Sequence, residues 1–194
     1  MYEALAAIAL IIGGGVFMFA RNAGGSIPDF EIDEIFKSPS KEQQKTNIDP
    51  NDIDILARTI WGEARGQGYA GMQAVASVVM NRFYAAQNSS AKARQYGRTV
   101  AQICQKPYQF SVWNENDPNR AKLLAVDENN SEFRRSVIIA SRAIHGDLPD
   151  NTGGADHYLN ISATKAGRGG SLPSWVDLSL KTAVIGSHTF LKLG

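Results

Sequence analysis

The sequence contains few of the residues that build metal sites and disulfide bonds. Cys104 is the single cysteine among 194 residues, so it can form neither an intramolecular disulfide nor a cysteine-based zinc site. Only three histidines occur, and His145, His157 and His188 lack the short spacing of paired zinc ligands. We therefore expect neither a metal nor another cofactor.

The sequence also lacks a strong charge of either sign. The net charge is +1, and residues 51–194 carry sixteen basic against twelve acidic side chains. Nucleic-acid binding requires a denser basic patch with interleaved aromatic residues, so we expect no nucleic-acid partner. The mild positive excess suits an anionic polymer, and it is equally typical of an ordinary solvated surface.

Long apolar runs are absent except near the N-terminus. The run from Ala4 to Ala20 holds 17 uncharged residues, which is the short end of the length of a membrane-spanning helix. A cleavable signal peptide would begin with basic residues, whereas the only charged residue before this run is the acidic Glu3. We therefore predict an uncleaved transmembrane helix within residues 1–21. Arg21, which follows the run, favours a cytoplasmic location for the rest of the chain.

The composition changes after this run. Residues 22–50 have little periodicity, and residues 28–50 hold six acidic against three basic side chains, which predicts a flexible acidic tether. Residues 51–194 form the third predicted region, a folded catalytic domain.

Helical spacing dominates the beginning and the middle of the third region. Asp49 is a suitable N-cap with Pro50 at the first helical position, and the helix that they start should stop at Gly66. Further helices are predicted over about 70–84 and 131–145, and short β segments between 175 and 193. The remaining stretches are predicted to be loops: 85–98, 111–118 and 147–173. The predicted fold class is α+β, mainly α, with a small β element.

Glu63 is the candidate catalytic residue. Leu56, Ile60 and Glu63 lie at positions i, i+4 and i+7, so they share the apolar face of the first helix. A carboxyl group on that face is partly desolvated, which raises its pKa and suits it to act as a general acid. Gly62 and Gly66 beside it leave room for a bulky substrate. The alternative is a buried Glu that pairs with an Arg in the core.

Two more clusters carry candidate chemistry. In the first, aromatic rings alternate with amide and hydroxyl groups, a pattern that suits sugar binding, although core aromatic residues would give it too: Tyr108, Gln109, Phe110, Ser111 and Trp113. The second is the segment Gly154 to Tyr158, in which Asp156 and His157 suggest a catalytic role and His157 and Tyr158 are candidate substrate contacts. A lone loop histidine is more often a satisfied hydrogen-bonding group.

Taken together, these clusters resemble a known family. Four blocks of the sequence, taken in order, resemble the SleB-like cell-wall hydrolases: IWGEARGQGYAGMQAVASVVMNR, CQKPYQFSVW, GADHYLN and LPSWVDLSLKTAVIGSHTF. The resemblance covers about residues 52–191. It implies a lysozyme-like and lytic-transglycosylase-like fold, with Glu63 as the catalytic glutamate and Tyr108 to Ser111 beside the glycan cleft.

The resemblance implies cleavage of bacterial peptidoglycan between N-acetylmuramic acid and N-acetylglucosamine. The expected reaction is lytic transglycosylation, with Glu63 as the single acid and base and a 1,6-anhydro ring as the product. A hydrolytic muramidase would instead need a second carboxylate, for which Glu115, Asp117 and Asp156 are candidates.

Two other classes of function remain open at this stage. One is an amidase or peptidase that uses Cys104 with His157. The other is a membrane-anchored structural protein that only binds glycan. In all cases the expected partners are peptidoglycan strands, a membrane through residues 4–20, and virion or envelope proteins. The expected location is the periplasm, the cell envelope or a virion membrane, and the expected role is phage entry or lysis. A location outside the cytoplasm conflicts with the orientation that Arg21 favours.

Overall fold

A computed structural model describes residues 8–12, 15–19 and 49–194. The first two segments are strands, β1 (Ile8–Ile12) and β2 (Gly15–Phe19), which pair antiparallel with Ile8 opposite Phe19. The transmembrane helix predicted over residues 4–20 is therefore not supported, and no helix in the described residues is long and apolar enough to cross a membrane. The sequence offers a physical reason, because Gly13 to Gly15 disfavour a helix and the flanking β-branched and aromatic residues favour strands. Most of the predicted tether, residues 22–50, lies outside the described residues.

The second compact unit comprises Asn47–Gly194. Its helices are α1 (Pro50–Ala64), α2 (Gly68–Asn88), α3 (Ser90–Tyr96), α4 (Val100–Gln105), α5 (Arg120–Ala125), α6 (Ser131–Ile144) and α7 (Ile161–Ala166). Two 3₁₀ turns occupy Ser111–Trp113 and Leu178–Leu180. The unit is mainly helical, as predicted.

The long helices begin where the sequence predicts. The side chain of Asp49 accepts a hydrogen bond from the amide of Asn51 at 2.9 Å, with Pro50 at the first position of α1. Asn130 caps α6 in the same way, because its side chain accepts hydrogen bonds from the amides of Glu132 and Phe133 at 3.0 Å each. Both caps satisfy amides that have no partner within the helix.

The main core lies where α1 packs against α2, α4 and α6. Leu56 and Ile60 of α1, Val75 of α2 and Ile139 of α6 are fully buried within it. The apolar face of α1, predicted from the spacing of Leu56 and Ile60, is therefore confirmed, and it continues towards Glu63 near the C-terminal end of the helix.

A three-stranded antiparallel sheet packs against α2. Its strands are β3 (His157–Leu159), β4 (Lys181–Ile185) and β5 (His188–Leu191), in the order β3-β5-β4. Tyr158 of β3 lies directly opposite Phe190 of β5. Alternate residues of a strand point to opposite faces of the sheet, so Tyr158 and His157 face different surroundings.

The prediction of a loop over residues 85–98 is wrong, because most of these residues are helical. Helix α2 continues to Asn88, and α3 follows, with Ser89 as its N-cap accepting a hydrogen bond from the amide of Lys92. Tyr96 is buried and anchors α3 to the core. Burial of one face stabilises this short helix, which would be marginal in isolation.

Candidate active site

Glu63 lies half-buried near the end of α1. Its Oε2 accepts a hydrogen bond from the hydroxyl of Tyr158 at 3.0 Å. Its Oε1 is buried and has no hydrogen-bond partner among the described residues. Because buried polar atoms are nearly always paired in folded proteins, this oxygen points to a partner that the site receives from outside.

The surroundings of Glu63 favour its protonated form. Burial raises the pKa of the Glu63 carboxyl above its ordinary value, and the negative charge of Asp117 adds a smaller effect in the same direction. The hydrogen bond from Tyr158 and the nearby backbone N–H of Val112 oppose the shift without cancelling it. A raised pKa keeps a larger fraction of the carboxyl protonated near neutral pH, as a general acid requires.

Tyr158 is fixed by an aromatic cluster. Its ring centroid lies 5.0 Å from that of His188, 5.5 Å from Phe190 and 6.5 Å from Phe110. Burial and the neighbouring Glu63 raise the pKa of Tyr158 well above its ordinary value. The phenol therefore stays protonated and acts as a fixed hydrogen-bond donor to Glu63.

The segment Ser111–Trp113 presses against α1 beside Glu63. The indole Nε1 of Trp113 donates a hydrogen bond to Oγ1 of Thr59 at 2.9 Å, one turn before Glu63. A Cβ atom on Gly62 would come within 2.7 Å of Cγ2 of Val112. The sequence predicted that Gly62 makes room for substrate, whereas the structure shows that it makes room for Val112. Gly66 has no heavy atom within 4 Å of such a Cβ position.

A buried arginine, which the sequence analysis did not identify, connects the separate sequence blocks. Nε of Arg82 donates to the carbonyl oxygen of Asp156 at 2.7 Å, and its Nη1 donates to Oε1 of Gln109 at 2.8 Å. Its guanidinium lies 5.3 Å from the ring centroid of Tyr96 and 5.2 Å from that of Phe110. Arg82 is only 4% exposed, so it positions its partners from inside the protein.

Asp156 is occupied by structural hydrogen bonds. Its carboxylate accepts from the amides of Leu193 and Gly194 at 2.8 and 3.1 Å. It also bonds the hydroxyl of Tyr96 at 3.3 Å and Nδ1 of His157 at 2.8 Å. Burial alone would raise the pKa of Asp156, but these bonds outweigh it and lower the pKa. Asp156 is thus a structural carboxylate, with no oxygen left to activate water.

The predicted sugar-binding segment divides between surface and interior. Tyr108 is 91% exposed, and Ser111 is also exposed. Phe110 is buried at 1% exposure, so its ring supports Tyr158 rather than facing a substrate, and the predicted substrate contact at this residue is not supported. Gln109 is half-buried and is held by Arg82.

His157, a predicted substrate contact, lies on the opposite face of the sheet from Tyr158. The ring of His157 lies 5.5 Å from that of Trp175 and 6.4 Å from that of Tyr96. His188, which the sequence analysis considered only as a metal ligand, instead lies beside Tyr158. Its Nδ1 is buried without a hydrogen-bond partner among the described residues, and burial lowers its pKa.

Cys104 is not available for nucleophilic chemistry. Its side chain is fully buried, and burial raises the pKa of the thiol to about 12. The reactive form of cysteine is the thiolate, which is not populated at neutral pH with such a pKa. The amidase or peptidase hypothesis therefore loses its nucleophile.

Comparison with known proteins agrees with this geometry. A family model described as Cell Wall Hydrolase matches residues 66–191. The chain belongs to the cell wall hydrolase family. The match begins three residues after Glu63, so the role of this glutamate rests on the sequence block around it and on its surroundings.

Curated relatives match a longer part of the chain than the family model does. A spore cortex-lytic enzyme of Halalkalibacterium halodurans is 28% identical over 167 residues, which is 84% of this chain and 41% of that protein. One from Oceanobacillus iheyensis is 29% identical over 148 residues, which is 73% of this chain and 42% of that protein. The chain thus spans about two fifths of the length of these relatives.

Solved structures share the fold. The catalytic domain of the germination-specific lytic transglycosylase SleB from Bacillus anthracis superposes with a TM-score of 0.54 at 25% identity, covering 76% of this chain and 98% of that domain. The catalytic domain of the Bacillus cereus SleB protein gives a TM-score of 0.53 with the same identity, covering 76% of this chain and 97% of that domain. The expected lytic-transglycosylase-like fold is confirmed for the second compact unit.

Proposed function

We propose that this protein cleaves the glycan strand of bacterial peptidoglycan between N-acetylmuramic acid and N-acetylglucosamine, as a lytic transglycosylase with Glu63 as its single acid and base. The observation that carries the proposal is the state of the Glu63 carboxyl: one oxygen is held by Tyr158, and the other is buried without a partner. Family membership and the similarity to the SleB catalytic domains support the same class of substrate.

In the first step, protonated Glu63 gives its proton to the glycosidic oxygen. The bond from C1 of the muramoyl sugar to that oxygen breaks, and its electron pair leaves with the oxygen as a hydroxyl group. The acetamido oxygen of the same sugar stabilises the positive charge that develops at C1, as in substrate-assisted glycosidases. Tyr158 remains bonded to Oε2 and stabilises the carboxylate that forms.

In the second step, ionised Glu63 removes the proton from the C6 hydroxyl of the muramoyl sugar. The C6 oxygen then bonds to C1, which closes the 1,6-anhydro ring and returns Glu63 to its protonated form. No water is consumed. A single group thus performs both proton transfers, which requires a carboxyl whose pKa lies close to the working pH.

Two of the three carboxylates that hydrolysis could recruit are placed away from this role. Asp156 is fully engaged in hydrogen bonds, and Glu115 lies in a separate cavity beside the 3₁₀ turn. Asp117 acts on Glu63 through its charge, and its Oδ1 is bonded to the amide of Asn119 at 2.8 Å. A glycosidase pair is separated by about 5–9.5 Å rather than in contact, so Asp117 is the competing partner that the product assay must test.

Mass spectrometry of the fragments released from purified peptidoglycan tests the proposal. We expect muropeptides lighter by one water than hydrolysis products, which indicates anhydro ends, and we expect none from the Glu63→Gln variant. Hydrated reducing ends would overturn the proposal and indicate a muramidase. The candidate second carboxylate would then be Asp117, whose charge acts on Glu63. Binding without any released fragment would indicate a structural glycan-binding protein.

Action on peptidoglycan requires this domain to reach the cell envelope. Membrane attachment through residues 4–20, a virion location and a role in phage entry or lysis stay predictions from the sequence.

A further inference from the structure

A cavity of about 630 Å³ opens beside the segment Ser111–Trp113. Two aromatic residues, Tyr108 and Trp113, line it together with Arg120 and Glu115. Asn114, Asn116, Gln105 and Pro107 complete the lining. Glu63 is not among the lining residues, so the cavity is separate from the carboxyl of the proposed catalytic residue.

The two charged groups in this cavity are not paired with each other. Arg120 donates from Nε to the carbonyl oxygen of Trp113 at 3.3 Å, and over the described residues it forms no ion pair within 4 Å. Glu115 is exposed and likewise has no ion-pair partner within that part of the chain. Opposite charges that line one cavity without pairing are suited to a ligand that carries both signs.

The backbone at the mouth of the cavity is strained. Tyr108 has φ of +65°, and it is the one residue other than glycine with a positive φ among the described residues. The amide of Gln109 bonds to the carbonyl oxygen of Lys106 at 3.1 Å, which closes a turn with Pro107 at its second position and Tyr108 at its third. Glycine is usual at that third position. Strain of this kind concentrates at functional sites, and here it holds an aromatic ring out at the cavity mouth.

The cavity is rigidly connected to the catalytic helix. Trp113, which lines it, is bonded to Thr59, and Glu63 follows one turn later on the same face of α1. Trp113 thus links the cavity to a point one helical turn from Glu63, where the proposed function places the muramoyl sugar.

We infer that this cavity binds the peptide stem of peptidoglycan, with Arg120 pairing with a stem carboxylate, Glu115 with a stem amine, and the asparagine amides with the peptide bonds. The inference rests on the proposed function, because it needs a muramoyl sugar at Glu63. The sugar rings are uncharged, and a muramoyl sugar without its stem carries a single charge, the lactyl carboxylate, so a bare glycan offers no amine to Glu115.

Isothermal titration calorimetry on the Glu63→Gln variant tests the inference without turnover. The probes are a disaccharide of N-acetylglucosamine and N-acetylmuramic acid with its stem peptide, and the same disaccharide without the stem. We expect the stem to tighten binding about tenfold or more, as charge-assisted hydrogen bonds do. Arg120→Gln and Glu115→Gln, each added to Glu63→Gln, should reduce this advantage and leave the affinity for the stem-free sugar unchanged.

Arg134→Gln provides the matched control, because Arg134 is an exposed arginine of α6 outside the cavity lining. The exposed Glu115 makes no side-chain hydrogen bond within the part of the chain that the structure describes, so its variant keeps the test valid if Arg120→Gln folds poorly. Equal affinity for the two probes overturns the inference. So does an equal loss of both affinities in Arg120→Gln, which would mean that Arg120 contacts the sugar or its lactyl group. Failure of the proposed function is distinct, since the enzyme would then release no anhydro fragments from the wall.

Discussion

The hydroxyl of Tyr158 donates a hydrogen bond of 3.0 Å to Oε2 of Glu63, although the two residues are 95 positions apart in the chain. This bond joins the last turn of α1 to β3, an edge strand of the three-stranded sheet. It holds one oxygen of the proposed catalytic carboxyl and leaves the other for the substrate. It also limits how far burial raises the pKa of Glu63.

Tyr158→Phe should shift the pH dependence of activity. The phenol lowers the pKa of Glu63, so its loss raises that pKa further and keeps the acid protonated to higher pH. We expect the basic limb of the kcat/KM profile to move to higher pH, with a loss of about 10- to 100-fold at the optimum, because Glu63 becomes a weaker acid and loses the bond that orients it. Turbidity loss of a peptidoglycan suspension, followed across pH, measures both effects. An unmoved basic limb would show that Tyr158 does not tune Glu63.

Glu63→Gln should inactivate the enzyme while making it more stable at neutral pH. Loss of a general acid and base costs about 10²–10⁴ in rate or more. The folded-state pKa of Glu63 is raised above its ordinary value of 4.5, so its favourable contribution to stability is complete below that value. That contribution is lost as pH rises through the folded pKa, because the buried carboxyl must then ionise.

Thermal melting of the two proteins measures this difference. The Tm advantage of the Gln variant should be small at acid pH and grow as pH rises through the folded pKa of Glu63. A variant that is less stable than the parent at neutral pH would contradict the raised pKa.

Gly62→Ala should disturb the site, whereas Gly66→Ala should not. A methyl group on Gly62 would meet Val112 at 2.7 Å and push the 3₁₀ turn away from Glu63, which costs about 1–3 kcal/mol of stability and lowers activity. A methyl group on Gly66 meets no atom within 4 Å, so that variant should be neutral or slightly stabilised. Urea unfolding and wall-cleavage rates of both variants check this. Equal effects at the two positions would argue against the contact with Val112.

Tyr108→Gly and Tyr108→Ala separate the ring of Tyr108 from its backbone strain. Both variants remove the exposed ring and should weaken substrate binding equally. Only glycine relieves the positive φ, which costs about 1–2 kcal/mol for other residues, so the Gly variant should be the more stable of the two. Denaturant midpoints give the stability order. The reverse order would show that the turn relaxes without glycine.

Cys104→Ala should retain activity. The thiol is fully buried with its pKa raised to about 12, so its removal leaves a small cavity and costs about 1 kcal/mol of stability. Cleavage assays before and after the substitution are sufficient. An inactive variant that still melts cooperatively would restore the cysteine-based hypothesis.

The local parts of this site follow from the sequence, and the long-range parts do not. The caps and apolar spacing of α1 predict both the helix and the partly desolvated Glu63. The polar composition around α3 predicts a loop, whereas the capping side chain of Ser89 and the burial of Tyr96 stabilise a helix. Strand β3 has three residues, too few for an alternation pattern, and its pairing with β5 depends on contacts distant in the chain.

The burial of Arg82 is a second feature that the sequence does not predict. An arginine within a helix is ordinarily a surface residue, and no spacing rule predicts that this one is buried. Its partners, Gln109 and the carbonyl of Asp156, lie 27 and 74 positions away. The family resemblance identifies the sequence blocks and their order, and the three-dimensional contacts show which residue joins them.

The hydrogen bonds of Arg82 determine when the site around Glu63 is completed during synthesis of the chain. Helices α1 and α2 emerge from the ribosome well before β3, and their local contacts form quickly. Until Asp156 and strand β3 with Tyr158 are made, Arg82 lacks one of its two acceptors and Glu63 lacks its donor. A nascent chain can therefore be largely helical while Glu63 still has no hydrogen-bond donor, so the proposed cleavage activity is among the last properties to mature.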